Sequence, residues 1–304
     1  AGANPTEAMA AAARVNGFSW LLILSLSLLN YGLRFLRWDG YLRHLGNRLA
    51  ISRHLIIYLA GFALTTTPGK TGEAIRALYL KPLGVGYERS IAVLYTERLV
   101  DLISIALLAM LLVELPAPGY RWGAVIASII AVALLLLQRA PVLKALIRMI
   151  AYLPISQLRR ALQGALDCLA QATALLHFRL LLLGIGVGLI SWGAEAIAFY
   201  HVAHVLNIPI NPMVAIGIYA TAILAGALSF LPGGLGSTEA VMVSLLLLAG
   251  ASLPAAVATT TVVRIATLWF AVVLGVTALI ATEASRRRYS LGNESPRDKV
   301  RAGR

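Results

Sequence analysis

Leu55-Ile56-Ile57-Tyr58-Leu59-Ala60-Gly61-Phe62-Ala63-Leu64-Thr65-Thr66-Thr67-Pro68-Gly69-Lys70-Thr71-Gly72-Glu73-Ala74-Ile75-Arg76 is an apolar run halted at a Pro-Gly pair and restarted with charges inside it. The run from Leu55 to Thr67 is too short to cross a bilayer, and so is the helix expected from about Thr71 to Leu80, which ends at Lys81-Pro82; about 20 apolar residues are needed. Joined, the two read as a hairpin that enters the membrane and returns to the same side. Broken backbone at that depth is tolerated only where protein or a wet cavity surrounds it.

The rest of the chain supports a membrane setting. Only 13% of its 304 residues are charged and 59% are hydrophobic, against about 25% charged in a soluble domain. The apolar blocks do not alternate with polar residues, which excludes a membrane β-barrel. Full spans are expected at about residues 18–36, 91–113, 122–137, 180–203 and 254–282. A second interrupted block covers residues 213–250, broken at Pro232-Gly233-Gly234-Leu235-Gly236. Between residues 139 and 178, leucines and isoleucines recur on one helical face, the mark of amphipathic helices lying on the membrane or the protein. The expected fold is an all-α integral membrane bundle with two re-entrant broken-helix hairpins, about 55–83 and 213–250, in one domain over residues 1–285. A basic, disordered tail follows at 286–304.

The net charge of +13 falls between the apolar blocks, so it points to topology and lipid headgroups rather than nucleic acid. Segments 34–53, 139–160 and 286–304 are rich in Lys and Arg and should be cytoplasmic; 114–120, 204–212 and 250–254 lack both and should face outward. Every segment takes its side if the hairpins do not cross. That places residue 1 outside, as one more span upstream would require. Cys168, the single cysteine, excludes an intramolecular disulfide and any multi-cysteine metal site. Trp20, Trp38 and Trp122 fit interfacial anchors.

The two breaks share a spacing. Glu73 lies 11 residues before Gly84 and Gly84 lies 14 before Arg98, while Glu239, Gly250 and Arg264 repeat both intervals. Three crossing blocks separate the hairpins, so they should enter from opposite faces as an inverted repeat meeting near the midplane. The buried-charge candidates sit on this repeat: Lys70, Glu73, Arg76, Glu97, Arg98 and Asp101 in the first half, Glu239 and Arg264 in the second. Each costs about 2.5–3.5 kcal/mol at a helix centre in lipid. They serve either as structural salt bridges, for example Glu73 to Arg98 and Glu239 to Arg264, or as a polar cavity for a charged headgroup. In the first half Lys70, Arg76 and Arg98 balance Glu73, Glu97 and Asp101. Pro68, Gly69, Gly72, Pro232, Gly233, Gly234 and Gly236 make the breaks, and free N–H groups there would favour anions. Glu195, in mid-span, is a further candidate, as functional group or as buried hydrogen-bonded acid. His201 and His204 lack a third ligand in phase and read as an interfacial pair rather than a metal site. Pro68-Gly69-Lys70-Thr71 lacks the earlier glycine and the strand of a phosphate-binding loop.

Leu33-Arg34-Phe35-Leu36-Arg37-Trp38, Pro68-Gly69-Lys70-Thr71-Gly72-Glu73-Ala74-Ile75-Arg76, Glu97-Arg98-Leu99-Val100-Asp101 and Pro232-Gly233-Gly234-Leu235-Gly236-Ser237-Thr238-Glu239 together resemble the lysylphosphatidylglycerol synthase transmembrane (flippase-domain) family, over about residues 20–281. Members usually carry another helix upstream, and some add a soluble aminoacyl-transferase domain for which no segment here is suited. The resemblance implies a lipid flippase, not an enzyme. It would move an aminoacyl-phospholipid or a polyprenyl-phosphate-linked sugar between leaflets of a bacterial inner (plasma) membrane, with the C-terminus cytoplasmic. Membrane lipids and anionic headgroups are the expected partners, with no nucleic acid, metal or cofactor. On this reading Arg98 and Arg264, with Lys70 and Arg76, contact the headgroup, and Glu73, Glu97, Asp101, Glu195 and Glu239 organise them. With no nucleotide-binding motif, energy would come from a gradient or substrate imbalance. A membrane enzyme acting on a lipid-linked substrate and a non-transporting scaffold are the alternatives.

Overall fold

A computed structural model describes residues 5–112 and 156–292, with positions 125, 128, 129 and 132 between them. All regular structure among the described residues is helical. Of the expected span at 122–137 only positions 125, 128, 129 and 132 are described, all four helical, and the segment 139–155 lies outside the described residues. A short helix, α1 (Pro5–Ala12), precedes α2 (Gly17–His44), whose Asn16 side chain caps the Ser19 N–H at 2.8 Å. α3 (Ile51–Ala60) runs into 3-10 turns at Gly61–Leu64 and Pro68–Ala74, then α4 (Ile75–Leu80). α5 (Tyr87–Ala109) carries the Glu97–Asp101 motif, and α6 (Ser156–Leu175) packs against it. α7 (Phe178–Val205) and α8 (Pro212–Leu228) lead to the second break, a 3-10 turn at Pro232–Gly234, followed by α9 (Ser237–Leu248). α10 (Leu253–Arg264), a π-helical turn (Ile265–Trp269) and α11 (Phe270–Gly292) form one continuous rod.

Three of these helical stretches are long and apolar enough to cross a membrane: Gly17–His44, Phe178–Val205 and Leu253–Ala284. Their outward residues, Phe18, Leu21, Phe178, Leu183, Ile190, Val273 and Ile280 among them, are apolar and exposed, whereas Arg34, Arg37, Glu73, Arg76, Glu97, Asp101, Glu195 and Arg264 are buried. That is the polarity a lipid solvent demands, since charges survive there only inside the bundle. α5 is long enough as well, but Glu88, Arg89, Glu97, Arg98 and Asp101 make it too polar to stand alone in lipid, and it packs against α2, α6, α7 and α8. The basic segment 286–304 begins as helix, because α11 continues to Gly292; residues 293–304 lie outside the described residues.

Each break has a local cause. A residue before proline is pushed out of the α region, and Thr67 and Leu231, both preceding Pro, are extended at ψ 152° and 149°. In the second break Gly233, Gly234 and Gly236 take φ of 62°, 66° and 86°, which only glycine adopts without penalty. The two 3-10 segments at Pro68–Ala74 and Pro232–Gly234 pack on one another. The last helix seats against the first break at Gly275, where an added Cβ would collide with the backbone of Phe62 and Ala63. Gly275→Ala should therefore lower stability by about 1–3 kcal/mol, the usual cost of overpacking. Denaturation in detergent micelles, followed by tryptophan fluorescence, measures it.

Trp38 departs from the sequence expectation. It is 1% exposed and lies against His54 at 4.1 Å and Tyr58 at 5.2 Å between ring centroids. It belongs to a core with Phe35, Tyr41, Ile57 and Phe62 rather than to the lipid interface. His54 Nδ1 donates to the Asp39 carboxylate at 2.5 Å, which joins α3 to α2 beside that aromatic stack, and Asp39 also accepts from Arg43 at 2.6 Å.

Candidate functional site

The ionisable residues of the first break and α5 form one network. Glu73 accepts from Arg76 at 2.8 Å, Arg98 at 2.9 Å and Thr65 at 3.1 Å. Glu97, fully buried, pairs with Arg76 at 3.1 Å. Asp101 takes Arg34 at 3.0 Å and Arg37 at 2.5 Å, with Arg98 farther off at 3.9 Å. Each carboxylate thus receives at least one guanidinium, the pairing that buried charges require.

The same plan recurs in the second half. Arg264 donates from Nε to Glu239 at 2.5 Å and from Nη2 to the Gly233 carbonyl at 2.9 Å. Glu73–Arg98 and Glu239–Arg264 are both 25 residues apart. Gly84 and Gly250, at the matching turns, are both left-handed, with φ of 85° and 90°. Both ion pairs expected from the spacing are therefore present.

These groups meet at a cavity of about 360 Å³. Arg34, Glu73, Arg98, Asp101, Glu195 and Arg264 supply its charged lining; Gly233, Gly234 and Thr238 bring in the second break. Phe62, Leu102, Ile105, Ile223, Leu224, Leu228 and Leu268 give it an apolar wall. The cavity reaches the surface beside Phe230 and Leu231, which line it and are exposed. Phe230 has φ of 54°, a left-handed conformation that costs a non-glycine residue about 1–3 kcal/mol and concentrates at functional positions. The π turn at Ile265–Trp269 lies on the same wall, and its Thr267 carbonyl accepts from the Tyr31 hydroxyl. Such turns re-aim the side chains around them.

Within the network the arginines differ. The Arg34, Arg37 and Arg76 side chains are 5% exposed or less, whereas Arg98 keeps 26%. Arg76 is sealed by aromatic rings, 4.1 Å from the Tyr58 centroid and 5.6 Å from that of Phe62. Neither Arg76 nor Glu97 is among the described residues that line the cavity, whose arginines are Arg34, Arg98 and Arg264. Arg98 presents its guanidinium to the cavity, as Arg264 does, although Arg264 has two nitrogens committed. The Lys70 backbone lies in the first break; the side chains of Pro68 and Lys70 lie outside what the structure describes.

One expectation changes. The first half is not balanced as Lys70, Arg76 and Arg98 against three acids, because Arg34 and Arg37 reach Asp101 from α2. They lie one turn apart, on the face that meets α5, and their i,i+3 spacing in a span followed by an acid-bearing one was the signal for them. Two N–H groups of the breaks are engaged within the protein: Gly72 donates to Thr67 Oγ1 at 2.6 Å and Gly236 to Glu239 Oε2 at 2.6 Å.

Glu195 lines the cavity and accepts from the Tyr219 hydroxyl at 2.5 Å. Trp192, one turn before it, faces the Arg34 guanidinium at 5.1 Å. His201 shares a hydrogen bond with Ser19 at 2.9 Å and His204 lies by the Tyr200 ring, so the two imidazoles serve separate contacts.

The family model described as lysylphosphatidylglycerol synthase TM region matches residues 1–275. A UPF0104 membrane protein of Methanothermobacter thermautotrophicus is 30% identical over 99 residues, which is 33% of this chain and 29% of that protein.

Proposed function

The chain belongs to the lysylphosphatidylglycerol synthase transmembrane-region family, and on that premise we propose that this integral membrane protein carries a lipid with a polar or charged headgroup from one leaflet to the other. The observation that carries the reading is the Arg98 guanidinium, held by Glu73 yet 26% exposed, at the charged end of a cavity whose other wall is apolar. A translocated lipid needs both surfaces. Its headgroup must be shielded from hydrocarbon, while its tails leave through an apolar opening such as the one beside Phe230 and Leu231. Guanidinium groups bind phosphate through paired N–H donors, so an aminoacyl-phospholipid or a polyprenyl-phosphate-linked sugar fits the charged end.

In this reading the two breaks are re-entrant hairpins entering from opposite faces, and alternate opening on either side of the packed breaks exposes the cavity to each leaflet in turn. Their shared 25-residue ion-pair spacing supports that relation. The membrane is a plasma membrane with the basic C-terminal segment on the cytoplasmic side. A carrier is favoured over an enzyme because Glu97 and Asp101, the close acidic pair a hydrolytic mechanism would use, are both engaged by guanidinium groups.

Reconstitution into liposomes with fluorescent anionic phospholipids tests the reading. Faster leaflet exchange than in protein-free vesicles is expected, with the lipid chemically unchanged. Product formed from a lipid-linked substrate in detergent, where no leaflets exist, would favour the enzyme instead.

A further inference from the structure

Three arginines, Arg34, Arg98 and Arg264, face three carboxylates, Glu73, Asp101 and Glu195, around the cavity. Fully ionised, the lining carries no net charge, which is a poor welcome for a lone phosphate. Loss of one carboxylate charge would leave a single positive charge in excess. Glu73 and Asp101 are ill suited to that change, because each takes two guanidinium groups, which donate and cannot accept, although the Thr65 hydroxyl also donates to Glu73.

Glu195 meets a different partner. The Tyr219 hydroxyl that donates to it at 2.5 Å is both donor and acceptor. By rotating its proton, Tyr219 stays hydrogen-bonded to the carboxylate or to the carboxylic acid. The charged and titratable groups around Glu195 come from every helix packed on α7: Tyr31 and Arg34 from α2, Arg98 and Asp101 from α5, Tyr219 from α8, and Arg264 from α10. Tyr31 and Tyr219 both lie within electrostatic reach of Glu195. Tyr31 is tied through its hydroxyl to Thr267 in the π turn beside Arg264.

We propose that Glu195 is a proton-binding site whose occupancy sets whether the cavity accepts an anionic headgroup, so that a proton gradient drives the lipid. This rests on the transport reading above. Protonation of Glu195 turns the lining positive and admits the phosphate; release of the proton on the other side restores neutrality and expels it. One proton accompanies each lipid.

The test uses the full chain in phosphatidylcholine liposomes carrying fluorescent phosphatidylglycerol, with the membrane potential clamped. One pH unit across the membrane should shift the steady-state leaflet ratio by up to about tenfold, the ratio equivalent to about 1.4 kcal/mol. Glu195→Gln should abolish that response. In parallel, infrared titration of the reconstituted protein should show a protonated carboxyl band that Glu195→Gln removes. Tyr219→Phe, which keeps the carboxyl, should shift the pH at which the band appears. Exchange indifferent to the pH gradient, exchange driven by sodium instead, or the absence of a Glu195-dependent band overturns the proposal and leaves the transport reading standing. A Glu195-dependent band in a protein that exchanges no lipid at any pH overturns the transport reading and the coupling with it.

Discussion

Arg98→Ala is expected to slow leaflet exchange about thirtyfold or more while leaving thermal stability close to that of the unaltered protein. The two effects separate because Arg98 is redundant in the salt-bridge network. Without it Glu73 keeps Arg76 at 2.8 Å and Thr65 at 3.1 Å, and Asp101 keeps Arg34 and Arg37. No buried carboxylate is orphaned. A lipid phosphate, by contrast, loses a guanidinium that lines the cavity and remains partly exposed. Removing one partner of a desolvated charge pair costs about 2–5 kcal/mol, and about 2 kcal/mol already corresponds to thirtyfold. Arg264→Ala should slow exchange by a similar factor but also lower the melting temperature, since Arg264 holds both Glu239 and the Gly233 carbonyl in the second break. Rates for both variants come from the liposome assay and stabilities from thermal denaturation in detergent. Unchanged exchange in both would remove the headgroup assignment.

Asp101→Ala should be the most damaging substitution for folding. It strips the shared counter-charge from Arg34 and Arg37, whose side chains are 5% and 2% exposed. Breaking a buried ion pair by removing one member typically costs about 3–5 kcal/mol, and here two guanidinium groups lose their partner together. The expected result is little folded protein, or a large fall in melting temperature. Adding Arg37→Leu should restore part of the loss, because one uncompensated charge then disappears; the double-variant comparison isolates that coupling. A melting curve for Asp101→Ala that overlays the unaltered protein would show that the network contributes no stability.

Much of this arrangement was legible in the sequence because it rests on short-range signals. Proline forces the preceding residue out of the helix, so the breaks after Thr67 and Leu231 were readable. The intervals from Glu73 to Arg98 and from Glu239 to Arg264 named the ion pairs in advance, since helix length and turn position fix which residues come level. By sequence alone Arg34 and Arg37 group with the basic loop that follows them. Only the continuation of α2 to His44 turns both toward Asp101, and a run of arginines does not reveal where a span ends. Trp38 fits an interfacial anchor by type and place; its burial depends on Tyr58 and His54 arriving from α3, a tertiary event with no local mark. The capping of Gly236 by Glu239 was within reach, because a glutamate three residues after a helix start reads as a capping signal. Tyr31 and Tyr219 were not, as each sits in an apolar block where a tyrosine looks like packing.

The central claim is that the cavity between the two breaks holds a lipid headgroup. The most direct measurement is an experimental structure of the protein in lipid nanodiscs, with bound lipid identified by mass spectrometry. The account predicts lipid density entering beside Phe230 and Leu231, with its phosphate within hydrogen-bond reach of Arg98 and Arg264. A cavity free of lipid, with lipid only along the outer apolar faces of α2, α7 and α11, would contradict it.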